Sequence, residues 1–229
     1  MTAAPAWRRP DVAGFPGPRA HTETTRAGRV LFVAAIAILI GGPAMAVEEP
    51  PFRSVLKDGA FEIRAYPALV VAEVTVTGSQ SAAASRGFRL LAGYIFGGNA
   101  RRQSVAMTAP VAQEPVGEKI AMTAPVTQTR TADAWVVRFT MPRGYTLETL
   151  PRPNDAQVRL RATPPAEVAV IRFSGVAEPR AVAARSAELT AWIQRHHLRA
   201  RGPATLAQYD PPWTLWFMRR NEVMIPVGR

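Results

Sequence analysis

The chain has 229 residues, 48% of them hydrophobic and 20% charged, which is enough to bury a core without a metal or disulfide staple. It has no cysteine, which excludes disulfides, thiolate metal sites and a cysteine nucleophile together. The formal charge is +11, but every basic residue except Lys57 and Lys119 is an arginine. These arginines are spread along the chain rather than gathered on one element, so a solvated basic surface is expected and a nucleic-acid partner is not.

The first 46 residues read as an address. Val30–Ile40 is an unbroken apolar run of eleven, preceded by Arg26 and Arg29, broken by Gly41-Gly42-Pro43 and followed by Ala44-Met45-Ala46. Basic residues, an apolar stretch and a small-x-small site are the layout of a secretory signal cleaved after Ala46. Stretched from Val30 to Val47, the same segment reads as an uncleaved membrane anchor. Either reading places residues 47–229, with a charge near +8, outside the cytoplasm, in the periplasm or beyond it.

From Val47 onward the pattern is one of strands with two helices. Phe61–Tyr66 and Ala68–Thr77 are rich in β-branched residues, and Val70, Ala72, Val74 and Val76 share one face. Ser79 or Ser81 caps a helix whose apolar stripe is Ala84, Phe88, Leu91 and Ile95, and Gly97-Gly98-Asn99 stops it. Trp135–Met141 and Val158–Arg161 alternate as half-buried antiparallel strands. Val168–Phe173, a helix opened by Pro179 with an inner stripe of Val182, Ser186, Leu189 and Ile193, and the strands Thr205–Asp210 and Glu222–Val227 repeat the first order. A strand–helix–strand–strand unit thus occurs over about Val70–Val126 and again over Val168–Val227. Neither sheet covers both its faces alone, so the two form one α+β domain, packed face to face or curled into a barrel.

Within the first unit, Ala106–Val111 (AMTAPV) recurs as Ala121–Val126, joined by a polar link, and reads as a hairpin. It carries no nucleophile–base pair and no metal-ligand set. Lys119–Val126 (KIAMTAPV) resembles the hallmark segment of the SOUL/haem-binding protein family, and Tyr94–Asn99 (YIFGGN) resembles its bacterial branch. Tyr145–Asp155 (YTLETLPRPND), Tyr209–Trp213 (YDPPW) and Arg219–Val223 (RRNEV) follow in the family's order, so the resemblance covers about Pro51–Val227.

The resemblance implies a distorted antiparallel β-barrel of two pseudo-symmetric halves, one helix on each. It also implies non-catalytic binding of haem or another tetrapyrrole in an apolar groove between the first helix and the loop joining the last two strands. Carried over residue by residue, the helix wall is Phe88, Leu91, Ala92 and Ile95, and the loop wall is Trp213, Leu215, Trp216, Phe217 and Met218. The residues of that loop point the same way, because Pro211–Met218 packs five large apolar side chains into a connection. It serves either as a ligand wall, with Arg219 or Arg220 meeting propionates, or as a plug folded back on the barrel end. Iron ligands are scarce: His196 and His197 stand near a helix end, and Met107, Met122 and Met218 read as gap-fillers. Scattered carboxylates (Glu62, Glu73, Glu148, Glu167) and the lack of any phosphate-loop, nucleophile-elbow or zinc-protease motif give no enzyme reading. The alternative function is a small-molecule effector-binding or protein-interaction adaptor of the cell envelope that does not bind haem.

Overall fold

In the computed structural model, which describes residues 47–101 and 117–229, the alternating segments form one antiparallel sheet and the two 3.6-period stripes form two helices. The strands are β1 (Arg53–Asp58), β2 (Phe61–Tyr66), β3 (Leu69–Val76), β4 (Asn99–Ala100), β5 (Val126–Arg130), β6 (Trp135–Thr140), β7 (Arg152–Pro153), β8 (Arg159–Thr163), β9 (Ala166–Ser174), β10 (Arg199–Ala200), β11 (Thr205–Gln208) and β12 (Arg220–Gly228). Helix α1 spans Gln80–Ile95 and α2 spans Pro179–Arg195. The expected leader over residues 1–46, including its anchoring segment, and the first hexapeptide copy at 106–111 lie outside the described residues.

The main sheet runs β1-β2-β9-β12-β11-β5-β6-β3-β8. Its centre is a palindrome: β9-β12-β11 meets β5-β6-β3, so the two units are related across the β11–β5 pair. They join edge to edge rather than face to face. The first unit is β3-α1-β5-β6 and reaches Thr140, beyond the Val126 expected from sequence. Of the second hexapeptide copy, Thr123 forms one isolated parallel bridge to Glu48 and only Val126 enters a strand.

Pairing shows where the helices lie. Gln128 stands opposite both Val137 and Leu206, so these three share a face. Val137 packs with α1, in a core that includes Val74, Leu91, Ile95 and Phe139; Leu206 packs with α2, in a core that includes Ile171, Leu189, Trp192 and Val223. Both helices therefore cover the same face.

The other face is buried too, since Val168, Val170, Ala207 and Glu222 are shielded with no helix of the described residues over them. A short connection explains this. β2 and β3 are six positions apart in the sheet, which laid flat is roughly 29 Å at about 4.8 Å per strand. Only Pro67 and Ala68 join them, and three Cα steps reach at most about 11 Å. The sheet must roll until its two ends meet. It does so without closing by hydrogen bonds, because the bonded path stays open between β1 and β8.

Helix α1 starts as read, with the Ala82 N–H donating to the Ser79 hydroxyl, and Gly97 follows its end at φ +114°. Its inner stripe differs by one position. Ala83, Gly87, Leu91 and Ile95 face the sheet, whereas Phe88 is 38% exposed. The cause is a close approach: a Cβ on Gly87 would lie 2.6 Å from Cγ2 of Val137. A stripe read from large apolar side chains passes over the glycine that lets the helix down.

Gly87→Ala is therefore expected to destabilise the fold by about 1–2 kcal/mol despite alanine's better helix propensity, because the core beneath is overpacked. Gly93→Ala, on the exposed side of the same helix with open space around it, is expected to stabilise by about 0.5–1 kcal/mol. Urea unfolding of the two variants checks both signs; a stabilising Gly87→Ala would remove the close-approach argument.

Candidate functional site

Alternation along β12 sends Val223, Ile225 and Val227 toward the helices and Glu222 to the inner face. Because β12 is central, Glu222 is fully buried, at 0% exposure. A buried carboxylate needs counter-charge and hydrogen bonds on each oxygen. Arg64, on β2 two strands away, donates to both oxygens at 2.7 and 3.1 Å. Arg220 donates twice to Oε1, at 3.1 and 2.9 Å, and the Tyr209 hydroxyl donates to Oε2 at 2.6 Å.

The network then spreads. Arg64 also donates to Glu62 and lies 4.4 Å from the Phe52 ring centre; Arg220 reaches Glu49 and stacks 3.7 Å over the Tyr209 ring. Burial alone would raise the Glu222 pKa, but the hydrogen bonds from Arg64 and Tyr209 and the two guanidinium charges outweigh it and hold the carboxyl below its ordinary value. The Tyr209 phenol is pushed upward by burial and by Glu222, so it stays protonated as a donor.

Between Asp210, which accepts from the Arg220 backbone N–H, and Arg220 itself runs the aromatic loop. Its side chains stand in solvent: Trp213 is 83% exposed and Trp216 62%, with Leu215, Phe217 and Met218 alongside. The plug reading is thereby corrected, since a plug would bury these groups. Residues Trp216–Met218 form a 3-10 turn that packs near β9, and the Trp216 and Phe217 rings meet edge to face at 5.7 Å. Arg219 braces the loop from within by donating to the carbonyls of Thr214 and Pro212. Arg219 and Arg220 thus both donate to groups of the protein, Arg219 to two backbone carbonyls and Arg220 to Glu49 and Glu222.

The helix wall is corrected as well. Leu91, Ala92 and Ile95 are buried under α1, against a sheet half to which β3 and β6 belong, while the loop's turn packs near β9. Of the four expected wall residues Phe88 alone is exposed, its ring 5.5 Å from Phe139, and Phe96, which caps the end of α1 and which sequence reasoning missed, is more exposed still. His196 lies at the end of α2 with Nδ1 3.0 Å from the Trp192 carbonyl, and His197 takes φ +56° to end the helix. Both therefore serve the helix terminus. Met122 packs against the α1 core, Met218 is exposed, and Met107 lies outside the described residues.

The remaining family-like segments act as braces. The buried Asn99 amide donates to the carbonyls of Tyr94 and Glu118 at 2.7 and 2.8 Å and accepts from the Glu118 N–H. Gly117 allows contact with the α1 exit, since a Cβ there would lie 1.8 Å from the Gly97 carbonyl. The Thr123 hydroxyl donates to the Thr140 carbonyl, and Tyr94 donates to Pro151 at 3.0 Å. Recesses elsewhere among the described residues include one of ≈ 190 Å³ beside Pro67, Ala68 and Arg143 and one of ≈ 450 Å³ between the helices. No sequence signal pointed to the second.

A family model described as SOUL heme-binding protein matches residues 47–226. No curated protein matches the chain. Among solved structures, the C-terminal domain of EcmrR is similar over 74% of this chain and 97% of its own, at 9% identity and a TM-score of 0.54. EcmrR in its complex with DNA is similar over 74% of this chain and 57% of that chain, at 9% identity and a TM-score of 0.51. A protein described as a hydrolase from Listeria innocua covers 76% of this chain and 94% of its own at 14% identity, with a TM-score of 0.48. At such identities the likeness is one of fold.

Because the folded Glu222 carboxyl sits below its ordinary value near 4.5, the stability it lends is fully present above that pH and drains away as pH falls through the folded value. Glu222→Gln leaves Arg64 and Arg220 without their shared counter-charge and is expected to cost roughly 3–5 kcal/mol at neutral pH. Its acid limb should also be shallower than that of the unchanged protein. Denaturant unfolding from pH 7 down to 3 reads both effects; equal acid limbs would show that Glu222 does not carry the linkage.

Proposed function

Because this chain belongs to the SOUL heme-binding protein family, we propose that it is a non-catalytic binding protein for haem or another tetrapyrrole, acting outside the cytoplasm. The observation that carries this reading is the loop Trp213–Met218, whose large apolar side chains face water on a mount braced from inside. Monomeric surfaces seldom leave such a group of aromatic and aliphatic side chains together without a partner. Flat indole and phenyl rings suit the faces of a macrocycle, which gains both area burial and ring stacking.

The donor set fits apolar capture better than tight iron ligation. Trp213, Trp216 and Phe217 would hold the ring, and Met218 offers the one thioether on the loop. A bound haem would supply redox and ligand-binding chemistry at its iron; the chain's own contribution is to hold the ring. The non-catalytic part of the reading rests on how the buried acid is used. Glu222 is committed to Arg64, Arg220 and Tyr209, and a carboxylate so paired is a structural strut rather than a general base. The extracytoplasmic location rests on the signal-like residues 1–46.

Titrating haemin into the full chain should produce a saturable shift of the Soret band. The double substitution W213A/W216A should weaken binding by about tenfold or more, the equivalent of roughly 1.4 kcal/mol, without changing the unfolding transition. An affinity unmoved by the double substitution would remove the loop from the binding site.

A further inference from the structure

Where the two sheet halves meet, the start of α1 and the first half of α2 leave a groove of ≈ 450 Å³ over β5 and β11. That volume lies within the range of small-molecule sites, about 300–1,000 Å³. Val182, Ala204, Leu206 and the Trp135 ring supply apolar lining, and Ser79, Gln80 and Ser186 supply polar groups. Arg130 also lines it, its guanidinium 5.6 Å from the Trp135 ring centre, and among the described residues no carboxylate lines the groove to meet that charge.

Gln128 completes the lining and is 2% exposed. Its Nε2 donates to the Gln208 side chain at 3.1 Å, whereas its Oε1 is buried with no hydrogen-bond partner, the one such side-chain atom among the described residues. Buried amide oxygens are nearly always paired, so this one has an acceptor position left for a donor from outside the chain. Gln128 stands on the line where the halves join, opposite Val137 on one side and Leu206 on the other, so it belongs to neither core.

We infer that this inter-helix groove is a ligand site, separate from the aromatic loop, for a small amphipathic aromatic acid. The ring body lies against Leu206, Val182 and Trp135, the anionic head meets Arg130, and an N–H or O–H donates to Gln128. Size, charge and the unpaired acceptor select that chemistry together. The site does not depend on tetrapyrrole binding, since none of the loop residues lines it.

Anilinonaphthalene sulfonate carries a fused ring body, an anion and one N–H, and serves as the probe. Its fluorescence on titration into the full chain should rise saturably. Ala183→Trp fills the groove from an exposed position on α2, and Arg130→Gln removes an exposed charge; each should weaken binding at least fivefold. W213A/W216A should leave the probe affinity unchanged, which keeps this site distinguishable from the loop. If Ala183→Trp disturbs folding, as circular dichroism would show, Arg130→Gln decides alone. Probe binding that fails to saturate, that keeps its affinity in Arg130→Gln, or that is lost only with the loop tryptophans would overturn the inference.

Discussion

Two residues, Pro67 and Ala68, dictate the architecture. They tie the second strand of the sheet order to the eighth, and no flat sheet can satisfy so short a link. Rolling the sheet converts what would be a solvent face into an interior. Every polar side chain pointing that way must then find a partner inside the protein. Glu222, Arg64, Tyr209 and Arg220 answer that demand jointly. Their network ties β2, β12, the Glu49 segment and the root of the aromatic loop into one charged knot.

The family-like segments divide their work accordingly. YIFGGN, KIAMTAPV and YTLETLPRPND interlock around the exit of α1: the Ile120 N–H donates to the Ile95 carbonyl, the Asn154 N–H to the Gly98 carbonyl and the Tyr94 hydroxyl to the Pro151 carbonyl. YDPPW and RRNEV supply Tyr209, Asp210, Arg219, Arg220 and Glu222, which hold the base of the loop. The residues that make the family legible are chiefly structural. The surface available to a ligand is made of the side chains these braces leave outside.

Much of the fold was readable from residue patterns. Alternation in Trp135–Met141, the capping Ser79, the stop at Gly97 and the inner stripe of α2 all appear where the periodicity puts them, and the doubling of the unit is real. The edge-to-edge junction was not readable, because strand order depends on pairings far apart in sequence that local periodicity does not encode. The α1 wall failed for a related reason. Leu91 and Ile95 are apolar whether they face a core or a ligand, and the deciding fact is a glycine beneath Val137. The loop was identified by its composition, but its exposure turned on Arg219 pointing inward to backbone carbonyls, which charge alone does not reveal.

Strand β2 lies between β1 and β9, so Phe61 pairs with Ile171, about 110 residues further along the chain. A polypeptide appearing amino end first must therefore keep its opening hairpin waiting, with one edge unzipped, until three quarters of its length has emerged. Loop-closure entropy has to be overcome before that long-distance pairing returns anything, which is the condition for slow, late-locking assembly. During the wait the unzipped edge is open to strands of other chains, so crowding of nascent molecules is the hazard this topology builds in.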